Sequence, residues 1–269
     1  MSDLQQDGGE RRRDSIGNTL IVAVSLSLVC SLLVASTAVL LKPQQQRNRD
    51  QYRQAIILDV AGLMEPGADI EASFAGIESR IVNLADGEFN DAIDTRNFDA
   101  REAANDPELS IAIPDSLDLA TIRRRAIYAP VYIIRKEGRI EQVILPVYGT
   151  GLWSTMYGYL AIAGDGTTVR GLRFYEHAET PGLGDQIDKP EWRGQWAGKK
   201  VFAAGDQPRI EVIRGFVDEN SATAIHQVDG ISGATLTGRG VTNLVQYWTG
   251  PHGFGPYLAK LRSEATGDD

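Results

Sequence analysis

The chain has 269 residues, of which 36 are acidic and 27 are basic, and its formal net charge at pH 7 is −9. This acidic balance argues against nucleic acid as a partner, because nucleic-acid-binding domains carry a basic surface. The only cysteine is Cys30, which excludes an intrachain disulfide, a self-contained Cys-ligated iron–sulfur cluster and a Cys-x-x-Cys-His haem site.

One apolar segment near the N-terminus is long enough to span a membrane. Residues 16–41 carry no charged side chain, and a bilayer core needs about 20 residues at helical rise. A cleaved signal peptide is the alternative, since Ser36-Thr37-Ala38 offers small residues near a cleavage point. The apolar run is longer than the roughly 7–15 residues of a signal-peptide core. We therefore predict an uncleaved transmembrane anchor over residues 16–42.

The charges around this segment indicate its orientation. Three arginines, residues 11–13, precede the anchor, and the positive-inside rule places such a flank in the cytoplasm. Basic residues between positions 42 and 53 flank the other end and weaken the contrast. We predict a cytoplasmic tail over residues 1–15 and a large domain outside the cytoplasm.

A helical linker and cap are predicted for residues 43–125. Residues 43–64 change from polar to apolar, which predicts a helix that continues from the membrane. Asp69 is a suitable N-cap for a second helix. The apolar face of that helix holds Ile70, Phe74, Ile77 and Ile81. Residues 86–114 are acidic and poor in large apolar side chains, which indicates a long excursion or a small cap.

Two β-hairpins are predicted next, because apolar runs flank short polar turns. The turns are Lys136-Glu137-Gly138-Arg139 and Gly164-Asp165-Gly166. The predicted strands cover residues 126–134, 140–147, 157–163 and 168–175. The fold class is therefore α+β: a single N-terminal transmembrane helix, then an extracytoplasmic domain with an antiparallel sheet, a helical cap and a C-terminal helix. We assign residues 126–262 to the main domain and residues 263–269 to a C-terminal tail.

The C-terminal helix begins after a run of small and hydroxyl residues. Its apolar face holds Val241, Leu244, Val245 and Trp248. Ser232, Thr235 and Thr237 lie around its N-terminus, where free backbone N–H groups and the helix dipole favour an anion. On physical grounds alone, ordinary helix capping is the favoured explanation of these hydroxyl residues.

Two other segments have simple structural explanations. In Glu179-Thr180-Pro181-Gly182-Leu183-Gly184, the proline and glycines make a turn, which leaves Glu179 and Leu183 unexplained. A strand bulge with a buried tryptophan would explain Gly151-Leu152-Trp153-Ser154.

The histidines, at positions 177, 226 and 252, have spacings unlike those of metal motifs. We therefore predict no metal site and expect hydrogen-bonding or surface roles for them.

The run Asp229-Gly230-Ile231-Ser232-Gly233-Ala234-Thr235 resembles the flavinylation signature of the covalent FMN-binding domain family. The resemblance implies that Thr235 carries FMN through a phosphoester bond, and that Thr237 lies outside the matched tetrad. Asp229 and Ser232 belong to the same signature, while Gly233 and Ala234 leave room for the nucleotide. The other two segments are similar to the loops that contact the cofactor in this family. Those contacts would be made by Leu152, Trp153, Glu179, Thr180, Leu183 and Gly184, with Glu179 as a polar contact.

All three motifs in this order, behind one membrane helix, resemble the NqrC family, whose members are flavin subunits of sodium-translocating NADH:quinone oxidoreductases. The resemblance covers nearly the whole chain. The G-type flavoprotein of the related Rnf electron-transport complex is the alternative, although it is shorter between the anchor and the flavin domain. A membrane-anchored scaffold or sensor without a cofactor is an alternative of a different class.

The family resemblance implies an electron relay in a bacterial inner-membrane complex that transports sodium and reduces ubiquinone. One covalent FMN on the periplasmic side would pass electrons from a membrane iron–sulfur centre to a second flavin subunit. A flavin transferase would attach the FMN, other subunits and membrane lipid would be the partners, and NADH and quinone would bind elsewhere. The chain contains no Gly-x-Gly-x-x-Gly run in a strand–helix context, so we expect no substrate turnover by this protein on its own.

Overall fold

The computed structural model describes residues 16–65, 67–203 and 205–267. The predicted tail at residues 1–15 lies outside them. The helices are α1 (Ile16–Val60), α2 (Ile70–Phe74), α3 (Ala100–Asn105), α4 (Pro190–Gly194), α5 (Thr235–Thr249) and α6 (Gly255–Thr266). The strands are β1 (Glu78–Asn83), β2 (Ser110–Ala112), β3 (Arg124–Ala126), β4 (Tyr128–Lys136), β5 (Arg139–Thr150), β6 (Thr155–Ala163), β7 (Val169–Glu176), β8 (Glu211–Val212) and β9 (Gln227–Val228). Two short 3₁₀ helices cover Gly184–Asp188 and Ala224–His226.

The chain divides into two units between Tyr52 and Arg53. In the first unit, residues 16–52 of α1 are exposed along their whole length, and the helix is long and apolar enough to cross a membrane. Exposed apolar side chains of this kind are stabilised when lipid covers them. Helix α1 has Pro43 in its interior and continues to Val60, so the predicted helical continuation beyond the anchor is present.

The second unit is built on a five-stranded antiparallel sheet in the order β1-β4-β5-β6-β7. Its two central hairpins, β4–β5 and β6–β7, are those predicted from the sequence. Strand β5 runs further than expected, because Thr150 still pairs with Thr155 of β6. The predicted antiparallel sheet is therefore confirmed, with one additional edge strand.

That edge strand corrects the prediction of a long second helix. Asp69 does cap α2, because its carboxylate accepts hydrogen bonds from the backbone N–H groups of Glu71 and Ala72. The helix ends at Phe74, however, and Ile81 lies in β1 opposite Pro130 of β4. A single helical turn is unstable on its own. Pairing with β4 satisfies the backbone of β1 and buries Ile81 completely, so the sheet prevails over the helical pattern.

The two faces of the sheet carry different cores. Helix α5 covers one face, where Leu145 and Leu160 share a core with Leu244. The approach is close, since a Cβ at Gly149 of β5 would lie 2.6 Å from the Cβ of Leu244. All four predicted apolar residues of α5 are buried. The end of α1 covers the other face, where Ile57 packs in a cluster with Ile144 and Tyr159.

Helix α6 was not predicted. The segment Gly253-Phe254-Gly255-Pro256 leads into it, and Phe254 is fully buried. The segment is a tight turn between two helices, with proline in the first turn of α6, where proline is favoured. A Cβ at Gly253 would lie 2.4 Å from the carbonyl oxygen of Trp248, so this turn requires glycine. The predicted cap, in turn, contains α3 and the small β2–β3 ribbon.

Candidate cofactor site

The turn of residues 229–235, called the attachment turn after its predicted role, ends at the first residue of α5. Gly233 has a φ of +74°, a left-handed conformation that glycine adopts without strain. Ala234 is the N-cap of α5, and no side chain caps this helix. Capping therefore does not account for the hydroxyl residues around it. Thr235 is the first helical residue and is exposed, so its hydroxyl lies at a helix N-terminus, the end that favours a phosphate.

Thr237, two residues further on, has the opposite environment. It is fully buried, and its hydroxyl donates a hydrogen bond to Oε2 of Glu179. A buried hydroxyl that already has an acceptor is a poor site for attachment of a nucleotide. The two threonines that the physical argument left as alternatives are thus distinguished by their burial.

Glu179 joins the three sequence motifs. Its side chain is buried, with only 4% exposed. Oε1 accepts hydrogen bonds from the backbone N–H groups of Leu152 (2.9 Å) and Trp153 (3.2 Å). Because Oε2 accepts the bond from Thr237, both carboxylate oxygens have partners within the chain. The side chain of Glu179 thus connects its own loop to the Leu152–Trp153 loop and to α5. Its predicted contact with a cofactor stays a prediction.

Three predicted contact residues form an exposed apolar surface beside the attachment turn. Trp153 is 67% exposed, so the buried tryptophan of the bulge explanation is wrong. Its Nε1 donates a hydrogen bond of 2.9 Å to Oγ1 of Thr180, which holds the two loops together. Leu152 and Leu183 are also exposed. A Cβ at Gly233 would lie 2.9 Å from Cδ2 of Leu183, so this surface adjoins the turn.

Asp229 and Gly184 have supporting positions. Asp229 accepts a hydrogen bond of 2.7 Å on Oδ1 from the backbone N–H of Val217, and its own N–H donates to Oε1 of Gln195. It therefore fixes the start of the attachment turn. Gly184 is buried against Glu179 and Thr237, and a Cβ there would lie 2.8 Å from Oγ1 of Thr237.

A cavity of about 480 Å³ lies beside the attachment turn, and sequence analysis did not find it. Two arginines, Arg214 and Arg239, line it together with Ser232 and Thr235. Phe216, at the same cavity, is 87% exposed. The sequence did carry one signal: Arg239 is four residues after Thr235, so both lie on one face of α5. The segment of residues 211–216 has no such signal, because only the fold brings it to the turn.

These features match the chemistry of FMN. The nucleotide has an anionic phosphate, a polar ribityl chain and a flat, largely apolar ring. The site offers an exposed hydroxyl at a helix N-terminus, two arginines beside the cavity and an exposed apolar surface that includes Trp153 and Leu183. The residues present therefore fit the group that the motifs indicate.

His177 and Asp188 form a titratable pair on either side of the loop that contains Thr180 and Leu183. Nε2 of His177 lies 2.7 Å from Oδ2 of Asp188. The hydrogen bond to Asp188 raises the pKa of His177 above its ordinary value, against the opposing effect of burial. His177 is thus a hydrogen-bonding residue, as the sequence indicated. Among the described residues, no group of three or more His, Cys, Asp or Glu side chains could hold a metal ion.

Comparison with known proteins first gives the class of protein to which the chain belongs. Residues 151–250 match the FMN-binding domain family, and all three motifs fall in this segment or at its boundary. Two curated relatives are the NqrC-type subunits of Na(+)-translocating NADH-quinone reductases. That of Pseudomonas aeruginosa is 47% identical over 254 residues, covering 93% of this chain and 97% of the relative. That of Yersinia pestis is 48% identical over 260 residues, covering 95% and 96%. The chain belongs to the NqrC family of Na(+)-translocating NADH-quinone reductase subunits.

Solved structures of this family share the fold. NqrC of Shewanella oneidensis superposes with a TM-score of 0.73 at 35% identity, covering 81% of this chain and 99% of that one. The corresponding reductase subunit from Parabacteroides distasonis gives a TM-score of 0.63 at 27% identity, covering 81% and 96%. The predicted family, the fold class and the assignment to an oxidoreductase complex are therefore confirmed.

Proposed function

We propose that this chain is the electron-relay component of a sodium-pumping NADH:quinone oxidoreductase, with one FMN attached to Thr235 through a phosphoester bond. The observation that carries the proposal is the contrast between the two threonines. Thr235 is exposed at the first residue of α5, whereas Thr237 is buried and bonded to Glu179. The cavity and the apolar loops adjoin Thr235 and give the rest of the nucleotide a binding surface.

The residues of the chain would bind and orient the cofactor. Bound FMN supplies reversible electron transfer, here between a membrane iron–sulfur centre and the flavin of a second subunit. Trp153 and Leu183 offer an apolar surface to the ring, and Thr180 holds the Trp153 side chain in place. Arg214 and Arg239 compensate the negative charge of the phosphate, because opposite charges near a partly enclosed site attract more strongly than in water.

The partners follow from the family and the anchor. Other subunits would bind NADH and ubiquinone, and a flavin transferase would attach the FMN. The exposed apolar side chains of α1 would contact membrane lipid. With the N-terminus in the cytoplasm, the flavin domain lies in the periplasm, anchored by one helix in the bacterial inner membrane.

Fluorescence of the denatured chain in a gel tests the attachment. The full-length chain, produced together with its transferase, should fluoresce. Thr235→Ala should lose this signal and Thr235→Ser should keep much of it, because serine preserves the acceptor hydroxyl. Thr237→Val is the matched control: it removes the neighbouring hydroxyl and should stay fluorescent.

Two results would overturn the proposal. A fluorescent Thr235→Ala chain would show that the acceptor is another residue. A wild-type chain without fluorescence after exposure to the transferase would favour the other class of function, a membrane-anchored scaffold or sensor without a cofactor.

A further inference from the structure

The buried carboxylate of Glu179 has an unusual set of partners. Its oxygens accept three hydrogen bonds, from the backbone N–H groups of Leu152 and Trp153 and from the hydroxyl of Thr237. None of these donors carries a charge, and the titratable neighbour of Glu179 is His177, whose Nδ1 accepts the backbone N–H of Glu179 at 3.2 Å. A buried carboxylate that relies on neutral donors is costly, so such an arrangement persists only where other interactions enforce it.

The surrounding backbone is shaped to admit this side chain. A Cβ at Gly151 would lie 2.4 Å from Oε1 of Glu179, and a Cβ at Gly184 would lie 3.0 Å from its Oε2. Both distances are shorter than the ordinary contact of a methyl group with an oxygen. Glycine at position 151 therefore lets the first loop approach Glu179, and glycine at position 184 lets the second loop pack against Glu179 and Thr237 of α5.

The three donors and their acceptor belong to three segments that are far apart in sequence. Leu152 and Trp153 lie in the loop before β6, Glu179 follows β7, and Thr237 is in the first turn of α5, two residues after Thr235. No other side chain of the described residues hydrogen-bonds to both that loop and α5. The carboxylate thus fixes the apolar surface relative to the attachment residue.

We propose that Glu179 is a positioning residue, which clamps the two cofactor loops to the start of α5 and places a buried carboxylate beside the cofactor. This inference rests on the proposed function, since it assumes that the ring occupies the apolar surface. Glu179 would act through its hydrogen bonds to the hydroxyl of Thr237 and to the backbone N–H groups of Leu152 and Trp153.

Two substitutions distinguish the effect of the charge of Glu179 from the effect of its hydrogen bonds. In Glu179→Gln the volume and two acceptor bonds can be kept, but the negative charge is lost. A negative charge disfavours the addition of electrons nearby, so the midpoint potential of the flavin should rise. In Thr237→Val the charge remains and one donor that offsets it is lost, so the potential should not rise. A rise of the potential in both variants would indicate a structural disturbance and overturn the charge effect.

A second measurement needs no cofactor. In a full-length Thr235→Ala background, amide hydrogen exchange at Leu152 and Trp153 should be several-fold faster with Glu179→Ala than with Glu179. Glu191→Gln, which changes an exposed glutamate on α4, is the matched control for the loss of a carboxylate and should change neither the exchange nor the potential.

These experiments distinguish failure of the Glu179 proposal from failure of the proposed function. If the wild-type chain carries no FMN, the proposed function fails, and the exchange measurement alone still decides whether Glu179 clamps the loops. If FMN is present on Thr235, a potential that does not rise in Glu179→Gln, or that shifts equally in Glu191→Gln, would overturn the charge effect. Unchanged exchange at Leu152 and Trp153 in Glu179→Ala would overturn the clamp. Should Glu179→Ala not fold, the same exchange comparison is made with Thr237→Val, which removes one of the three bonds and should give a smaller acceleration in the same direction.

Discussion

Thr235 and Thr237 are two positions apart on one helix, and the fold gives them opposite environments. A rotation of about 200° separates residues i and i+2 of an α-helix, so one faces solvent when the other faces the core. The sequence motif could indicate Thr235 only by resemblance, since both residues carry the same hydroxyl. Burial supplies the physical reason, because Thr237 is fully enclosed and bonded to Glu179.

The glycines around Glu179 give a prediction at the scale of single residues. Gly151→Ala and Gly184→Ala should each lower the free energy of unfolding by about 1–3 kcal/mol, the range of overpacking changes, because the new Cβ would contact the buried carboxylate. Urea unfolding of the full-length chain measures this. Gly194→Ala is the control, since no atom lies within 4 Å of its added Cβ. Equal stability of all three variants would contradict the packing argument.

Some site residues could be predicted from the sequence and others could not. The attachment turn and the two loops are continuous motifs, so resemblance could propose them as cofactor contacts. The hydrogen bonds of Glu179 join residues 27 and 58 positions apart, and no local pattern reveals such pairs. Arg214 reaches the cavity for a similar reason, because a backbone contact between Gly215 and Gly230 brings its segment to the turn.

The β6–β7 turn gives a pH-dependent prediction at the scale of elements. Burial alone would raise the pKa of Asp165, but hydrogen bonds from Thr168 and from the backbone N–H of Thr167 outweigh it, and the pKa is lowered. A lowered folded-state pKa contributes stability above the unfolded value of about 3.9, and this stability is lost as pH falls through the folded value. The wild type should therefore exceed Asp165→Asn in urea midpoint at about pH 5–7, with the difference shrinking below about pH 4. A difference that does not depend on pH would argue against this role.

A second prediction concerns how the end of α1 joins the sheet unit. Asp59 accepts hydrogen bonds from Arg173 of β7 and from Arg193 of α4, the latter at 2.7 Å. Asp59→Ala should lower the free energy of unfolding by about 1–3 kcal/mol, because it leaves two partly buried guanidinium groups without their shared acceptor. Thermal unfolding measures the effect. Asp50→Ala, an exposed position of α1, should have little effect, and a comparable loss there would contradict the assignment.

The elements also show where sequence periodicity fails. Strands β4 to β7 were predictable because their apolar runs are long and flank clear turns. Ile70, Phe74, Ile77 and Ile81 have helical spacing, yet the chain becomes strand β1 from Glu78. The deciding interaction is backbone pairing with β4, about 50 residues later in the chain. A short segment without strong propensity adopts the structure that its distant partner favours.

At the scale of the whole molecule, the proposed relay function predicts what this protein cannot do by itself. The purified full-length chain should not oxidise NADH or reduce quinone at useful rates, whereas the intact complex should do both. Spectrophotometric assays of NADH oxidation measure this. Incorporating Thr235→Ala into the complex should abolish its quinone reduction, because the relay is interrupted. Rapid, specific NADH oxidation by the purified chain would contradict the relay and indicate a dehydrogenase.

The anchor predicts the topology. A reporter enzyme that is active only outside the cytoplasm, fused after Asp269, should be active, because the arginines at residues 11–13 precede one apolar span. The same reporter fused before residue 16 should be inactive. The reverse pattern would overturn both the orientation and periplasmic attachment of the flavin, and a mature N-terminus near Val39 would indicate a cleaved signal peptide instead.

The central claim is that Thr235 carries the flavin, and one measurement tests it most directly. The tryptic peptide that ends at Arg239, taken from the full-length chain matured with its transferase, is analysed by fragmentation mass spectrometry. The account predicts an added mass of FMN less one water, with fragment ions that locate it on Thr235. An unmodified peptide, or the same mass located on Ser232 or Thr237, would contradict the account.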